Sequence, residues 1–535
     1  MLRWDNAQPV REETMRHRLY LFVVLTLQIL CPVGCESGPV ESSDVHAVGT
    51  DVGYDGAVRE LVAHDSSPDA PPDVIPEIEE DAPPPTWLDI SLLSGALEMG
   101  DSGSIDMLMS LYDGPACDEE TCIIVTWAPD HEAVFIRGEF NDWEKDPLEA
   151  SPLEGWFWTQ IPVTVIDGCK DYKLFADGVW FRDPMNRWIG FADFEINSAL
   201  CPREVSRIAL VEGVYSPQLN NARSLYVYVP AAAFLLDVQA PQATFPVLYM
   251  QDGFNVFTNP MAAFGSWNVD ATADALIAAG EVEPLIIVGV DTHDRMNEYL
   301  YTDITVDLGR GPTEITPLLP DYAEFLVKAV KPLLDETFPT RPGRLDTGMA
   351  GSSLGGISSL WIAWHRADVF GRVASFSGSC WIGQEGSGTE GHSTMEAVLQ
   401  EVPPNPDQLA LRIYLDSGTG SLGQDDHPYT GDARCYTDWT RNVLISLGWD
   451  NRAEWDDDGD LDTTPADFPV TADPAEVPTL YWSQTVPDGF AGWDDYLRPA
   501  QNLLHLVGDG HAHDEAAWEQ RFSAMLRFLF PWSSD

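Results

Sequence analysis

The sequence predicts an α/β protein in which a mostly parallel sheet is covered by helices on both faces. A small β-sandwich and a disordered N-terminal tether precede it. Three observations predict this. Strand-like apolar runs alternate with helical stretches after about residue 205. Short runs of alternating polar and apolar residues, split by turn signals, fill 86–204. Residues 36–85 have few apolar residues and many Asp, Glu and Pro, too little to form a core.

The N-terminus comes first. "LYLFVVLTLQIL", Leu19 to Leu30, is an apolar run behind Arg16, His17 and Arg18. It is short for a membrane span and suits the core of an export signal. Val33-Gly34-Cys35 resembles a bacterial lipoprotein cleavage box in which Cys35 receives the lipid, although Pro32 stands where that box usually has Leu. The expectation is a signal over 1–35 and an acidic tether over 36–85. The folded part would be exported and held at an outer membrane or cell surface by a lipid anchor. The balance of 86 Asp+Glu against 29 Lys+Arg repels nucleic acid, which is excluded as a partner. Past the signal, Cys117, Cys122, Cys169, Cys201, Cys380 and Cys435 form an even set, which in an exported chain suggests disulfides. Their spacings allow Cys117–Cys122, Cys169–Cys201 and Cys380–Cys435. No C-x-x-C or H-x-x-x-H pair suggests zinc, and no cofactor is implied.

The β-sandwich, of immunoglobulin-like size, is read from "CIIVTWAP", "AVFIRGEF", "WFWTQIPVTV" and "DYKLFADGVWF". The second part, 205–535, is read from "RSLYVYVP", "FPVLYMQDG", "PLIIVGVD", "LDTGMAGSS", "VASFSGSC", "LRIYLDSG" and "NLLHLVGDGH". Amphipathic stretches such as "DEAAWEQRFSAMLRFLF" lie between or after them.

One turn carries chemistry. Gly351-Ser352-Ser353-Leu354-Gly355 is G-x-S-x-G between a strand and a helix. That pattern exposes a serine on a strained elbow, and Ser353 is the serine with glycines at both flanking positions. A serine hydroxyl needs a base. His511 and His513 follow the last apolar strand, in the order serine, acid, histidine. The acid is expected after "LRIYLDSG". Asp416, Asp425 and Asp426 are the candidates, and the Asp425-Asp426 loop can reach round to the histidine. An oxyanion needs two donors. The Leu354 N–H is one, and the Phe254 N–H, after "VLYMQDG", is the other.

With these residues in place, "LYMQDGFNVF", "DRMNEY", "GSSLGG", "SFSGSCW", "YLDSGT" and "GHAHDEAAWEQR" resemble the "Putative esterase" branch of the α/β hydrolases. That branch holds enterochelin, feruloyl and acetyl-xylan esterases and S-formylglutathione hydrolase. The resemblance spans about Arg223 to Pro531. It implies Ser353 as nucleophile and favours His513, within Ala512-His513-Asp514-Glu515, as base. It gives Arg295, Glu298 and Tyr299 a supporting place beside the site. Gln251 stands where the family often has His, and Ser421 where its acid commonly lies.

"VFIRGEFNDWEKDPLE" and "DYKLFADGVWFRDPMN" resemble the glycogen-binding type of carbohydrate-binding module, an early-set β-sandwich. The resemblance implies sugar contacts from Trp143, Lys173, Trp180 and Asn197. Packing of those tryptophans against the second domain is the competing reading. In "AEWDDDGDLDTTPADFP", Glu454 to Asp462 follow the first nine positions of an EF-hand loop, but position twelve is Pro465. A solvated acidic insertion is the simpler reading. The expected function is an exported serine esterase acting on carboxylic esters of carbohydrates, of acetyl or feruloyl type. The alternatives are a siderophore esterase of enterochelin type and a non-catalytic carbohydrate-binding surface lipoprotein.

Overall fold

The structure, a computed structural model, describes residues 89–532 apart from 145, 148, 151–152, 193, 236–242, 308–311, 383–393, 402–407, 409, 421–431, 433, 450–479, 484, 486–491 and 498–501. The signal, Cys35, the acidic tether, Asp425, Asp426 and the Glu454–Asp462 insertion therefore lie outside the described residues.

The first element departs from the β-like reading of 86–204. Helices α1 (Ile90–Met99) and α2 (Ser102–Met109) precede the sandwich. Asp89 accepts from the amides of Ser91 and Leu92, and Asp101 from the Ser104 hydroxyl at 2.7 Å. Each carboxylate thus satisfies first-turn donors. Gly100 ends α1 in the left-handed region, at φ 65°. Leu93, Leu97, Ile105 and Leu108 are buried against Ile123, Val125 and Trp158. Each such side chain contributes roughly 1.5–3 kcal/mol on leaving water.

In the sandwich, β1 (Thr121–Trp127) pairs antiparallel with β3 (Trp156–Pro162). Facing them are β2 (Phe135–Gly138), β4 (Lys170–Ala176), β5 (Val179–Phe181), β6 (Trp188–Phe191) and β7 (Ile196–Leu200). Ile124, Phe157 and Ile161 from one sheet meet Ile136, Tyr172, Leu174 and Leu200 from the other. Disulfides Cys117–Cys122 and Cys169–Cys201 are formed. Cys380 keeps a free, buried thiol, so the third pairing allowed by spacing is not made.

The second sandwich sheet does not stop at residue 204. β6 pairs antiparallel with β8 (Arg207–Ser216), with Ile208 opposite Ile189. β8 pairs with β9 (Asn221–Val229), and β9 with β11 (Ile286–Val290). One sheet therefore runs from the sandwich into the second part.

There the strands are parallel, except β9, which runs antiparallel to β11. β10 (Val247–Gln251), β12 (Thr347–Ser352), β13 (Arg372–Phe376), β14 (Arg412–Gly418), β15 (Leu480–Tyr481) and β16 (Leu503–Gly508) join in the order β15-β16-β14-β13-β12-β10-β11-β9. β10, β11, β12 and β16 are buried along their whole length, as a sheet covered on both faces requires. Leu360 and Trp364 of α5 (Leu354–His365) cover one face. Val269 and Leu276 of α3 (Val269–Ala278) and Trp518 and Phe522 of α7 (Glu515–Leu529) cover the other. Between them in chain order lie α4 (Arg295–Glu298) and α6 (Arg434–Ser446). The carboxyl ends of β10, β12, β13, β14 and β16 gather at one edge, where open α/β sheets place their ligands.

Candidate active site

Ser353 stands between β12 and α5 at φ 56°, ψ −122°, a backbone conformation that costs a non-glycine residue strain. The neighbours explain the two glycines. A Cβ on Gly351 would lie 2.6 Å from the Gly355 carbonyl oxygen, and one on Gly355 would lie 3.0 Å from Gln251 Cβ. Ser352 points into the core, whereas Ser353 is partly exposed. The turn is pinned from several sides. Ser353 N–H donates to the Phe376 carbonyl at 3.0 Å, and its own carbonyl accepts from Ser379 N–H at 3.0 Å. Ser353 Oγ is 3.4 Å from Ser379 Oγ. Among the described residues no hydrogen bond joins Ser353 Oγ to His513. Contacts between nucleophile and base are often long without substrate and tighten in the complex.

His513 lies in the loop between β16 and α7. Its Nδ1 is in hydrogen-bond contact with Asp432 Oδ1. The imidazole also sits edge-on to Trp518, 5.1 Å between ring centres. Asp432 Oδ2 accepts from the Ser377 hydroxyl and, at 2.5 Å, from Gly418 N–H. Burial raises the affinity of the Asp432 carboxyl for a proton. The charges of His513 and Arg521 and the hydrogen bonds to His513 and Ser377 outweigh that and hold it below the usual range. An ionised acid against Nδ1 leaves Nε2 free to act as the base.

The carboxylate that meets His513 is Asp432, six residues beyond Asp426. Asp416 is ruled out by its own partners. It faces Arg521 Nε at 3.0 Å and Nη2 at 3.2 Å, and accepts from Tyr414 OH at 2.8 Å. Arg521 Nη2 goes on to donate to Ser377 Oγ at 2.9 Å, and Trp518 Nε1 to the same oxygen at 3.0 Å. Asp416 therefore braces the group that holds Asp432. His511 is likewise committed. Its Nδ1 is 3.1 Å from Arg521 Nη1, and its ring lies against Trp482. Burial, then the charge of Arg521, lowers its proton affinity.

Leu354 opens α5, so its N–H is one of the first-turn amides that have no carbonyl partner inside the helix. Phe254 lies in the loop after β10, where its carbonyl accepts from Asn259 at 2.8 Å. Asp252, in the left-handed region at φ 58°, grips Arg295 through two hydrogen bonds of 2.8 and 2.9 Å. Tyr299 OH accepts from Asp252 N–H at 3.0 Å. Glu298 is buried on Arg223 at 2.8 Å. Arg295 and Tyr299 thus brace the loop after β10, while Glu298 ties Arg223 to the loop after β11 through Thr292 Oγ1 at 2.8 Å. Gln251 is inside, where its Oε1 accepts from Tyr322 OH at 2.7 Å.

In the sandwich, β4 and β7 lie side by side with Ser198 opposite Tyr172, which puts Lys173 and Asn197 on one face. Both are buried. Lys173 pairs with Glu195, and Asn197 Nδ2 donates to Asp171 at 2.9 Å while its Oδ1 has no partner among the described residues. Trp180 is exposed and lies beneath the Arg137 guanidinium, 4.8 Å from it, and beside Phe175. Trp143 is partly exposed in a left-handed turn. Among the described residues no cluster of three metal-binding side chains occurs, and no helix is long and apolar enough to cross a membrane.

Residues 216–435 match the family model described as "Putative esterase". This region is similar to that family. It holds Ser353 and Asp432, while His513 lies beyond the matched stretch. The chain is 25% identical over 244 residues to the endo-1,4-beta-xylanase/feruloyl esterase of Xylanibacter ruminicola, covering 43% of this chain and 31% of that protein. It is 25% identical over 171 residues to the uncharacterized protein YbbA of Bacillus subtilis, covering 32% and 62%. The chain thus spans less than two thirds of either curated relative. Among solved structures, the enterobactin esterase of Shigella flexneri is similar at 14% identity, covering 81% of this chain and 98% of that one, with a TM-score of 0.38. A ferulic acid esterase is similar at 17% identity, covering 61% and 97%, with a TM-score of 0.38.

Proposed function

We propose that the chain is a serine hydrolase of carboxylic esters, with Ser353, His513 and Asp432 as its triad. One observation carries the reading. A serine on a strained strand-to-helix elbow shares its loop cluster with a histidine whose Nδ1 meets a buried carboxylate. In the reaction, His513 Nε2 takes the Ser353 hydroxyl proton as Oγ attacks the ester carbonyl. The Leu354 N–H receives negative charge from the carbonyl oxygen. His513 then returns the proton to the departing alcohol oxygen, leaving an acyl-serine. Water, activated by the same imidazole, releases the acid. Asp432 holds the ring in the required tautomer throughout.

The Xylanibacter relative, described as an endo-1,4-beta-xylanase/feruloyl esterase, supports a feruloyl ester of a plant glycan as the substrate. The N-terminal signal pattern and the two disulfides support export, with Cys35 as the lipid-bearing residue. Sugar contact by the sandwich would fall to Trp143, Lys173, Trp180 and Asn197, of which the two tryptophans are exposed. The reading is tested by hydrolysis of p-nitrophenyl acetate, methyl ferulate, acetylated xylan and a catecholate siderophore ester. Wild type should turn over at least one, and Ser353→Ala none. Equal rates for both proteins would defeat it.

A further inference from the structure

We propose that the β6–β7 hairpin of the sandwich forms one wall of the esterase cleft. Phe194 is then the side chain that meets the apolar or aromatic portion of the bound ester. This rests on the esterase reading above.

The contact between the two parts of the chain leads there. Phe191, at the end of β6, lies edge-on to Phe254, with ring centres 6.3 Å apart, and 5.7 Å from Tyr226. Tyr226 and Phe254 are themselves 6.1 Å apart. Phe254 follows Asp252, and Asp252 borders the first turn of the nucleophile helix. A Cβ on Gly355 would sit 3.3 Å from Asp252 Oδ2. The sandwich hairpin therefore touches the loop that flanks Ser353.

The hairpin is also held in place. Ala192 N–H donates to the Glu195 carbonyl at 3.0 Å, closing the turn. The Glu195 carboxylate is gripped by buried Lys173, and Asn197, one residue into β7, is gripped by Asp171. Burying a lysine and an asparagine to fix a surface turn costs desolvation, which these pairings offset. The turn so fixed carries Phe194 at 92% exposure. A large aromatic held out in water, three residues from a ring packed on the active-site loop, has the features of a recognition contact. Its flat apolar face suits an aromatic acyl group or another apolar part of the ester.

Binding reads the hairpin apart from turnover. Methyl ferulate is titrated calorimetrically into Ser353→Ala and into Ser353→Ala/Phe194→Ala, using the full chain. The double variant should bind about tenfold more weakly, and Phe194→Trp in the same background should restore binding. In the active protein, Phe194→Ala should lower the ratio of kcat/KM for methyl ferulate over triacetin about tenfold, mainly through KM. An unchanged Kd overturns the proposal. So does loss of a dimer on sedimentation of Phe194→Ala, since Phe194 would then face a second copy. A wild type that turns over neither ester refutes the esterase reading, while the Kd comparison still decides the hairpin.

Discussion

Asp432→Asn is the substitution that separates this triad from its alternatives. The wild-type carboxylate has three donors: His513 Nδ1 on one oxygen, and Ser377 Oγ and Gly418 N–H on the other. An asparagine offers one oxygen. If it stays with Ser377 and Gly418, its NH2 faces Nδ1, and the imidazole must then carry its proton on Nε2, where the base needs a lone pair. Such a reversal lowers kcat by about 10⁴ in a serine triad. At 1.36 kcal/mol per decade that is about 5.4 kcal/mol of barrier. Stability should change far less. One hydrogen bond to a charged group is lost, worth about 1.5–3 kcal/mol, and Tm should fall by several degrees. The assay is p-nitrophenyl acetate hydrolysis with thermal unfolding of the same samples, alongside Asp425→Asn and Asp426→Asn. Those two should stay within about threefold of wild type. Near-normal activity in Asp432→Asn with collapse in Asp426→Asn would refute the reasoning.

Three further outcomes follow from the same contacts. Arg521→Met removes the cation between buried Asp416 and Ser377. It should destabilise the fold by about 3–5 kcal/mol, read by urea unfolding, because Asp416 is left uncompensated. Gly351→Ala puts a methyl 2.6 Å from the Gly355 carbonyl oxygen, so the elbow must shift. Activity should drop at least 100-fold, and a crystal structure of the variant should show Ser353 displaced. Burial pushes the Asp183 and Asp291 carboxyls up to about 6 and Glu515 up to about 8. The folded state then binds more protons than the unfolded chain, so these groups stabilise most below about pH 4, and that stability is lost as pH rises through 6 to 8. Tm should be lower at pH 8.5 than at pH 5.5, and Asp183→Asn should flatten the slope. A Tm that rises over that range contradicts these shifts.

Much of the fold could be read from residues because burial on both sheet faces writes itself as continuous apolar runs. "LIIVGV" and "LLHLVG" are strands on that ground alone. The elbow was legible too, since G-x-S-x-G between a strand and a helix is a local pattern. The helices before the sandwich were less so. Their apolar positions are few and interrupted by Ser and Gly, and only the caps at Asp89 and Asp101 mark them. Asp432 was hidden by distance. The loop after β14 carries several carboxylates, and only tertiary closure selects the one just before α6. A sharper cue was present: Gly431-Asp432 ends that loop immediately ahead of an amphipathic helix, whose start favours an anion.

The central claim is that Ser353, and not its neighbour Ser352, is the nucleophile. The direct measurement is intact-mass and peptide mass spectrometry after treatment with a fluorophosphonate. One adduct per chain is expected, located on Ser353, absent in Ser353→Ala and strongly slowed in Asp432→Asn. An adduct on Ser352, or labelling that persists in Ser353→Ala, would contradict it.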